Sequence, residues 1–254
     1  MKISHSSFLI LSLICTCFLA CKPIFHIADI NEDRYEIEPH EQLKEDSTIN
    51  AIIKPYKAQL QDKMNRVIGT NAKDMYKARP EGELGNWVAD ILYSEVSKIY
   101  DGKLDFAVQN HGGLRIPVLN EGPITVRDIY EIMPFDNEVV VIKAKGVVIQ
   151  KLFERIAEKG GWPVSKQINM LGTIDNKLHS LTIDSVPFDP KKTYTFALPD
   201  YVANGGDKCD FLINQKQIKF NLLVRDAIIN HLDSEGIDNV QFAQKEGRIK
   251  FTQR

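Results

Sequence analysis

An excess of charge of one sign is missing from this sequence. Its 32 Lys and Arg stand against 34 Asp and Glu, a net charge of −2 at pH 7, so it offers no broadly basic face of the kind that holds nucleic acid through its phosphates. Cysteine is scarce as well. Three of the four, Cys15, Cys17 and Cys21, fall near the N-terminus, and Cys209 alone stands downstream. One thiol builds neither a disulfide framework nor a cysteine-based zinc site, so Cys209 is expected to be a small buried hydrophobe. Internal repeats and low-complexity segments are absent too, which excludes solenoids. There is no run suited to crossing a bilayer: Phe8 to Ala20, FLILSLICTCFLA, is only 13 residues long, and a helix spanning about 30 Å of hydrocarbon needs roughly 20.

That short run does have a use. Met1-Lys2 leads into it, and residues 1–20 read as a secretory signal peptide. It closes on FLAC, with the small Ala20 before Cys21, which resembles the lipobox of bacterial lipoproteins. The resemblance implies that Cys21 is lipidated and becomes the first mature residue. The protein would then be anchored in the bacterial cell envelope, at the outer membrane, on its periplasmic side or at the cell surface, each buried CH₂ contributing about 0.8 kcal/mol. A plain signal peptide with an incidental cysteine is the competing reading. Residues 21–46 are charged and poor in apolar side chains, as in NEDRYEIEPHEQLKEDS, and fit a tether.

A folded domain is expected over residues 47–254. Ser47 reads as the cap of an entry helix in which Ile49, Ile52, Ile53, Tyr56, Leu60 and Met64 recur at spacings of three and four; Pro55 should end or kink it. Glu83 to Tyr100 carries an apolar stripe of Leu84, Val88, Ile91, Leu92, Val96 and Ile99 and predicts a helix. Leu104 to Gln109 reads as a short strand. Thr125 and Asp128 have the spacing of a capping box. EVVVIKAKG is a buried strand by its β-branched residues, and VVIQKLFERIAEKG a helix closed by Gly160. Further on come strands LHSLTID and TYTFALP, a helix across FNLLVRDAIINHLDSEG, and a last strand GRIKF. Strands and helices interleave without a regular βαβ period, so the fold class is α+β (mixed α/β), a single domain with mixed sheets flanked by helices.

Three loops, QNHGGLR, MPFDNE and LPDYVANGGDKCDF, follow or flank predicted strands and mix glycine with polar residues. Glycine lets a backbone approach a ligand or take a positive φ. Arg115 offers a planar fork for carboxylate or phosphate oxygens. Asp207 can accept from hydroxyls or ring N–H groups, and Phe135 and Tyr201 present flat faces to a heteroaromatic ring. Taken singly, Phe135 fits a core position better than a ligand platform, Asp207 fits a turn, and Arg115 fits a surface charge.

Together these words, in the order ARPEGELGNWVADIL, QNHGGLRIPVLNEGPITVRDIYEIMPFDNEVVVIKAKG and ALPDYVANGGDKCDF, resemble the C-terminal, substrate-binding domain of the 5′-nucleotidase family. The resemblance covers most of Asn50 to Phe251. It implies a domain that holds the base and ribose of a nucleotide while an N-terminal two-metal phosphoesterase domain hydrolyses the phosphate ester. Phe135 and Tyr201 would sandwich the base, with Tyr201 where the family commonly has Phe. Asn110 would bond to the base, Arg115 would meet the ribose or phosphate side, and Asp207 would accept the ribose hydroxyls. Gly112, Gly113, Asn204, Gly205 and Gly206 belong to the same two loops. Arg79 matches a further arginine, although the spacing of RPEGELGN departs from the family pattern.

The metal-binding words of such a phosphoesterase, D-x-H, N-H-[DE] and G-H-x-H, are absent from this sequence. NHGG has Gly where a metal site needs a carboxylate, so His111 is read as a loop residue facing pocket or solvent, not as a metal ligand. The expectation is therefore no catalytic residue, no metal and no cofactor in this chain, with divalent metals held by a separate metallophosphoesterase. Such a chain would be the nucleotide- or nucleoside-binding half of a split hydrolase of nucleotide catabolism. A membrane-anchored nucleotide receptor without enzymatic role, and a surface interaction protein that keeps only the fold, are the alternatives.

Overall fold

The computed structural model describes residues 46–252. The expected leader and Cys21 lie outside these residues, as does the tether apart from Asp46. Packing divides the chain into two units, 1–50 and 51–254. Of the first, only residues 46–50 are described, and they belong to the start of helix α1 (Ser47–Met64). Asp46, not Ser47, caps this helix: its Oδ1 accepts from the N–H groups of Thr48 (2.8 Å) and Ile49 (3.1 Å). A carboxylate placed one residue earlier satisfies two of the helix's free donors, which a hydroxyl at Ser47 would not reach. Pro55 lies inside α1 without ending it. Ile52, Ile53, Tyr56 and Leu60 are exposed, and Met64 packs against the core.

The centre of the second unit is a four-stranded sheet in the order β11-β6-β10-β3. Its strands are β3 (Phe106–Ala107), β6 (Glu138–Lys145), β10 (Thr193–Pro199) and β11 (Gln217–Leu223). β10 runs antiparallel to β6, pairing Leu198 with Val140, and parallel to β3, pairing Phe196 with Phe106. Both faces are covered. Val139 and Val141 of β6 point into one core with helices α2 (Glu83–Ile99), α3 (Val126–Ile132) and α6 (Val224–Glu235). Val140, Ile142 and Ala144 point into the other, against α4 (Gly146–Glu158). Successive side chains of a strand face opposite ways, so a strand between two cores must be apolar at every position. That is why VVVI is uninterrupted.

Smaller sheets extend the two cores. β1 (Val67–Asn71) lies between β5 (Gly122–Thr125) and β12 (Val240–Gln241); β7 (Ile168–Thr173) lies between β8 (Leu178–Ile183) and β13 (Ile249–Thr252), with β9 (Val186–Pro187) beyond β8. β2 (Met75–Tyr76) pairs with β4 (Val118–Leu119). Thr125 and Asp128 form the expected capping box on α3. In α2 the predicted stripe is buried except for Ile99 at its end.

Several elements differ from expectation, among them the short strands β2, β4, β5, β9 and β12, which were not foreseen. The strand after Leu104 is regular only over Phe106–Ala107; Val108 still donates its N–H to the Ala197 carbonyl of β10 (2.9 Å) but also bridges Val164. β7 was not foreseen. Residues Phe220 to Leu223 are strand, not helix: β11 pairs with β6 through a bulge between Lys219 and Leu223, with Asn221 at φ +53°. Helix α6 therefore starts only at Val224, whose N–H donates to the carbonyl of Asn137 (2.9 Å).

Replacing Phe196 by Ala tests the doubly covered sheet. The ring is fully buried and stacks on Phe106 with centroids 5.1 Å apart. The expected loss is about 3–5 kcal/mol, read as a lower midpoint in urea denaturation of the full chain.

Candidate functional site

Because β10 is parallel to β3 and antiparallel to β6, the C-terminal ends of β3 and β10 and the N-terminal end of β6 share one edge of the central sheet. Three segments meet there. Loop 108–115 leaves β3, residues 133–137 lead into β6, and the short helix α5 (Asp200–Ala203) leaves β10. Between them lies a cavity of about 450 Å³. It is lined by Asn110, Gly112, Gly113 and Arg115 from the first segment, Phe135 and Asn137 from the second, and Tyr201 and Asp207 from the third. Phe135 is 38% and Tyr201 46% exposed, so neither is a core residue. Two aromatic faces, one carboxylate, two amides and a guanidinium thus converge on one space.

The first loop is shaped by an amide relay. Gln109 Nε2 donates to Asn110 Oδ1 (3.0 Å), and Asn110 Nδ2 donates to Asp207 Oδ2 (2.8 Å). The two glycines of the loop have different tasks. A Cβ on Gly113 would stand 2.2 Å from Gln109 Nε2, so that glycine protects the relay. A Cβ on Gly112 would meet only Asn110 Nδ2, at 3.8 Å, so that glycine keeps the cavity open. Asn110 is fastened from both sides, one of its N–H groups held by Asp207. Asn137, which sequence reasoning missed, also lines the cavity; it is half-buried, and its side-chain amide is in no hydrogen bond among the described residues. Its place in MPFDNE, two residues after Phe135, was the available signal.

The third segment depends on positive φ angles. Gly205 sits at φ +94° and Asp207 at +54°, the region Gly adopts freely and Asp tolerates. A Cβ on Gly206 would fall 2.5 Å from Cε1 of Tyr201. That glycine therefore lets the tyrosine ring lie against the turn. Among the described residues only Oδ2 of Asp207 receives a side-chain hydrogen bond, which leaves Oδ1 available to a ligand. Asn204, Gly205 and Gly206 do not line the cavity; Asn204 Oδ1 accepts from Gln217 of β11 (2.9 Å). Cys209 is fully buried, and burial pushes its thiol up to about 12.

Cations gather along the same rim. The Arg115 guanidinium carbon stands 5.4 Å from the centroid of Phe135. Lys77 Nζ donates to the carbonyl of Leu114 (2.7 Å), and its pKa is lowered by burial and then by Arg79 and Arg115. Arg79 is exposed, its Nε turned to the carbonyl of Gly161 (3.4 Å), and it does not line the cavity. His111 opens the turn His111–Gly113 half-buried, also outside the lining. Burial, with Arg79 and Lys77 adding to it, brings its pKa down to about 4. Its imidazole is neutral at pH 7. No group of three or more His, Cys, Asp or Glu side chains suited to a metal ion occurs among the described residues. The arrangement can stack a flat ring, receive hydroxyl or N–H donors, and attract an anion at one side.

Comparison with known proteins gives this geometry a context. The family described as 5′-nucleotidase, C-terminal domain, matches residues 67–213. The chain is 29% identical over 176 residues to a 5′-nucleotidase of Vibrio vulnificus, covering 65% of this chain and 30% of that protein. It is 26% identical over 235 residues to an endonuclease of Bacillus subtilis, covering 87% of this chain and 18% of that protein. Among solved structures, a 5′-nucleotidase precursor from Thermus thermophilus shares the fold with a TM-score of 0.69 at 23% identity, over 80% of this chain and 43% of that one. The chain spans less than half the length of each.

The rim can be tested by titration. His111 is expected to titrate in nuclear magnetic resonance near pH 4, well below the ordinary histidine value of about 6.5. The sign follows from linkage. Between these two values the unfolded chain binds a proton that the folded chain refuses, so this group's stabilising contribution is complete above about pH 6.5 and is lost as pH falls towards 4. A midpoint at the ordinary value would show that the loop leaves His111 in open solvent.

Proposed function

This chain belongs to the 5′-nucleotidase family through its C-terminal domain, and from that premise we propose that it recognises a nucleotide or nucleoside. The observation that carries the reading is the cavity itself, where Phe135 and Tyr201 line the same space as Asp207, Asn137 and Arg115. The rings would hold the base between them. Asp207 Oδ1, which receives no side-chain hydrogen bond among the described residues, is placed to accept the ribose hydroxyls. The base edge would meet Asn110, which keeps one N–H after its bonds with Gln109 and Asp207, and Asn137, whose side-chain amide is in no hydrogen bond among the described residues. Arg115, with Lys77 and Arg79 nearby, would receive the phosphate side.

Hydrolysis would come from elsewhere. Stacking and hydrogen bonding that treat ground and transition states alike tighten binding without speeding the chemical step, whereas phosphate-ester cleavage needs water activated and charge neutralised by metal ions. A separate metallophosphoesterase chain, holding the divalent metals, is the partner this reading requires. Attachment to the cell envelope through Cys21 would place the pair where extracytoplasmic nucleotides are met. A nucleotide receptor acting without any phosphatase is the second reading, favoured by the same cavity and separated from the first by the partner.

Calorimetry with adenosine, guanosine, cytidine and uridine tests recognition directly. At least one should bind, and Phe135→Ala or Tyr201→Ala should each weaken that binding by about 1–3 kcal/mol, the range for a base–aromatic stack. Binding indifferent to both substitutions would place the site elsewhere. The purified chain with Mg²⁺, Mn²⁺ or Zn²⁺ should release no phosphate from nucleoside monophosphates; robust metal-dependent release from it alone would end the split-hydrolase reading. Anchoring has its own check: Cys21→Ser should move the protein from the membrane to the soluble fraction of bacterial cells, and an unchanged distribution would refute lipidation at that residue.

A further inference from the structure

The Phe135 ring is carried by residues 133–137, which have no helix or strand of their own. Something outside the segment has to hold it. Arg225, the second residue of α6, reaches across with Nη1 donating to the Phe135 carbonyl (3.0 Å) and Nη2 donating to the Asp136 carboxylate. Its guanidinium carbon lies 4.8 Å from the centroid of Tyr130 on α3. The arginine side chain is only 13% exposed, while that of Asp136 is 80% exposed. Its Nε is buried without a hydrogen-bond partner. A guanidinium so placed gives up much of its hydration, and what it receives in return is concentrated on the residue bearing the ring and the residue after it.

The opposite side is tied by a second contact. Asp200, directly before Tyr201 on α5, accepts the N–H of Glu138 through Oδ1 (3.1 Å). This bond joins Glu138, the first residue of β6 and three residues after Phe135, to the start of α5, continuing the β6–β10 ladder across 62 residues of sequence. The Val224 N–H, donating to the Asn137 carbonyl (2.9 Å), completes the hold on the intervening stretch.

We propose that Arg225 and Asp200 form a two-point clamp that sets the gap between Phe135 and Tyr201, and that both are positioning residues for stacking. The inference rests on the reading of the cavity as a nucleoside site. Neither side chain lines the cavity, so each acts through the backbone of a ring-bearing segment. Stacked rings lie roughly 4.5–7 Å apart between centroids, and a site about 1 Å too loose loses much of its function. A base held on both faces requires both separations at once, which two independently moving segments would not maintain.

The test is ribonucleoside affinity of the full-length protein, measured with whichever of adenosine, guanosine, cytidine and uridine binds the wild type most tightly. Arg225→Ala and Asp200→Ala should each weaken binding about tenfold, a part of one base stack. Asp200→Asn should restore affinity to within about twofold, because an amide oxygen accepts the same N–H. In a Phe135→Ala background Arg225→Ala should cost less than about twofold more, since a positioning effect disappears with the ring it positions. Wild-type affinity in both alanine variants, or a full loss that adds to that of Phe135→Ala, overturns the clamp while leaving the nucleoside site standing. If the wild type binds none of the four nucleosides, the site reading fails and the clamp fails with it. Should Arg225→Ala not fold, the Asp200→Ala and Asp200→Asn pair decides in the same way, equal affinities of these two variants refuting the clamp.

Discussion

Burial of β6 on both faces is the constraint from which the rest of the structure follows. Val139 and Val141 belong to one core and Val140 and Ile142 to the other, so neither core closes without this strand. The partner β10 obeys the same rule, with Phe196 and Leu198 on one side and Ala197 on the other. A one-residue slip in register would exchange the two sets and put a phenylalanine where an alanine fits. The pairing of Leu198 with Val140 is thereby fixed, and with it the relative height of the strand ends. A site assembled from the segments at those ends inherits this fixed frame.

What the frame leaves free, local chemistry has to fix. Strand ends determine where three segments begin, not how their side chains point. On the first segment the amide relay from Gln109 through Asn110 to Asp207 ties it to the third. On the third, the positive φ of Gly205 and Asp207 and the missing side chain of Gly206 turn the chain back under Tyr201. The middle segment relies on α6 and α5. Each tie crosses a long stretch of sequence, so the cavity exists only once both cores have formed, and damage to packing far from it would be felt there.

The sequence carried the parts of this that depend on side-chain type in a run. The β-branched stretch EVVVIKAKG, the stripe of α2 and the capping box of Thr125 and Asp128 were all legible, because periodicity and caps are local. So were the glycine-bearing loops and seven of the residues that line the cavity. Partners were not legible. Phe220 to Leu223 has apolar spacing that suits a helix, and it becomes strand because β6 offers an edge to pair with. Asn137 sat in a segment already singled out, but its weight comes from having a free amide beside a cavity. Asn110 takes the base-reading role on family resemblance, and what the sequence does not show is that its Oδ1 accepts from Gln109 and one of its two N–H groups goes to Asp207. Asp46 displaces Ser47 as a cap for the same reason: two adjacent candidates are equal in type and differ in reach.

The electrostatics of the rim bear on what kind of ligand the cavity would take. Burial lowers the pKa of Lys77 and of His111, and the cations add to it: Arg79 and Arg115 on Lys77, Arg79 and Lys77 on His111. Placing like charges together costs stability unless a counter-charge arrives, and a half-buried imidazole that stays neutral avoids adding a fourth cation to the group. Asp207 is engaged by Asn110 through one oxygen and lines the same cavity as Arg115. On the reading proposed above, a nucleotide would bring a ring to Phe135 and Tyr201, hydroxyls to Asp207 and an anion to Arg115, all of which line one cavity. A free base would meet only the rings, so the reading proposed above favours a ligand that also carries sugar and phosphate.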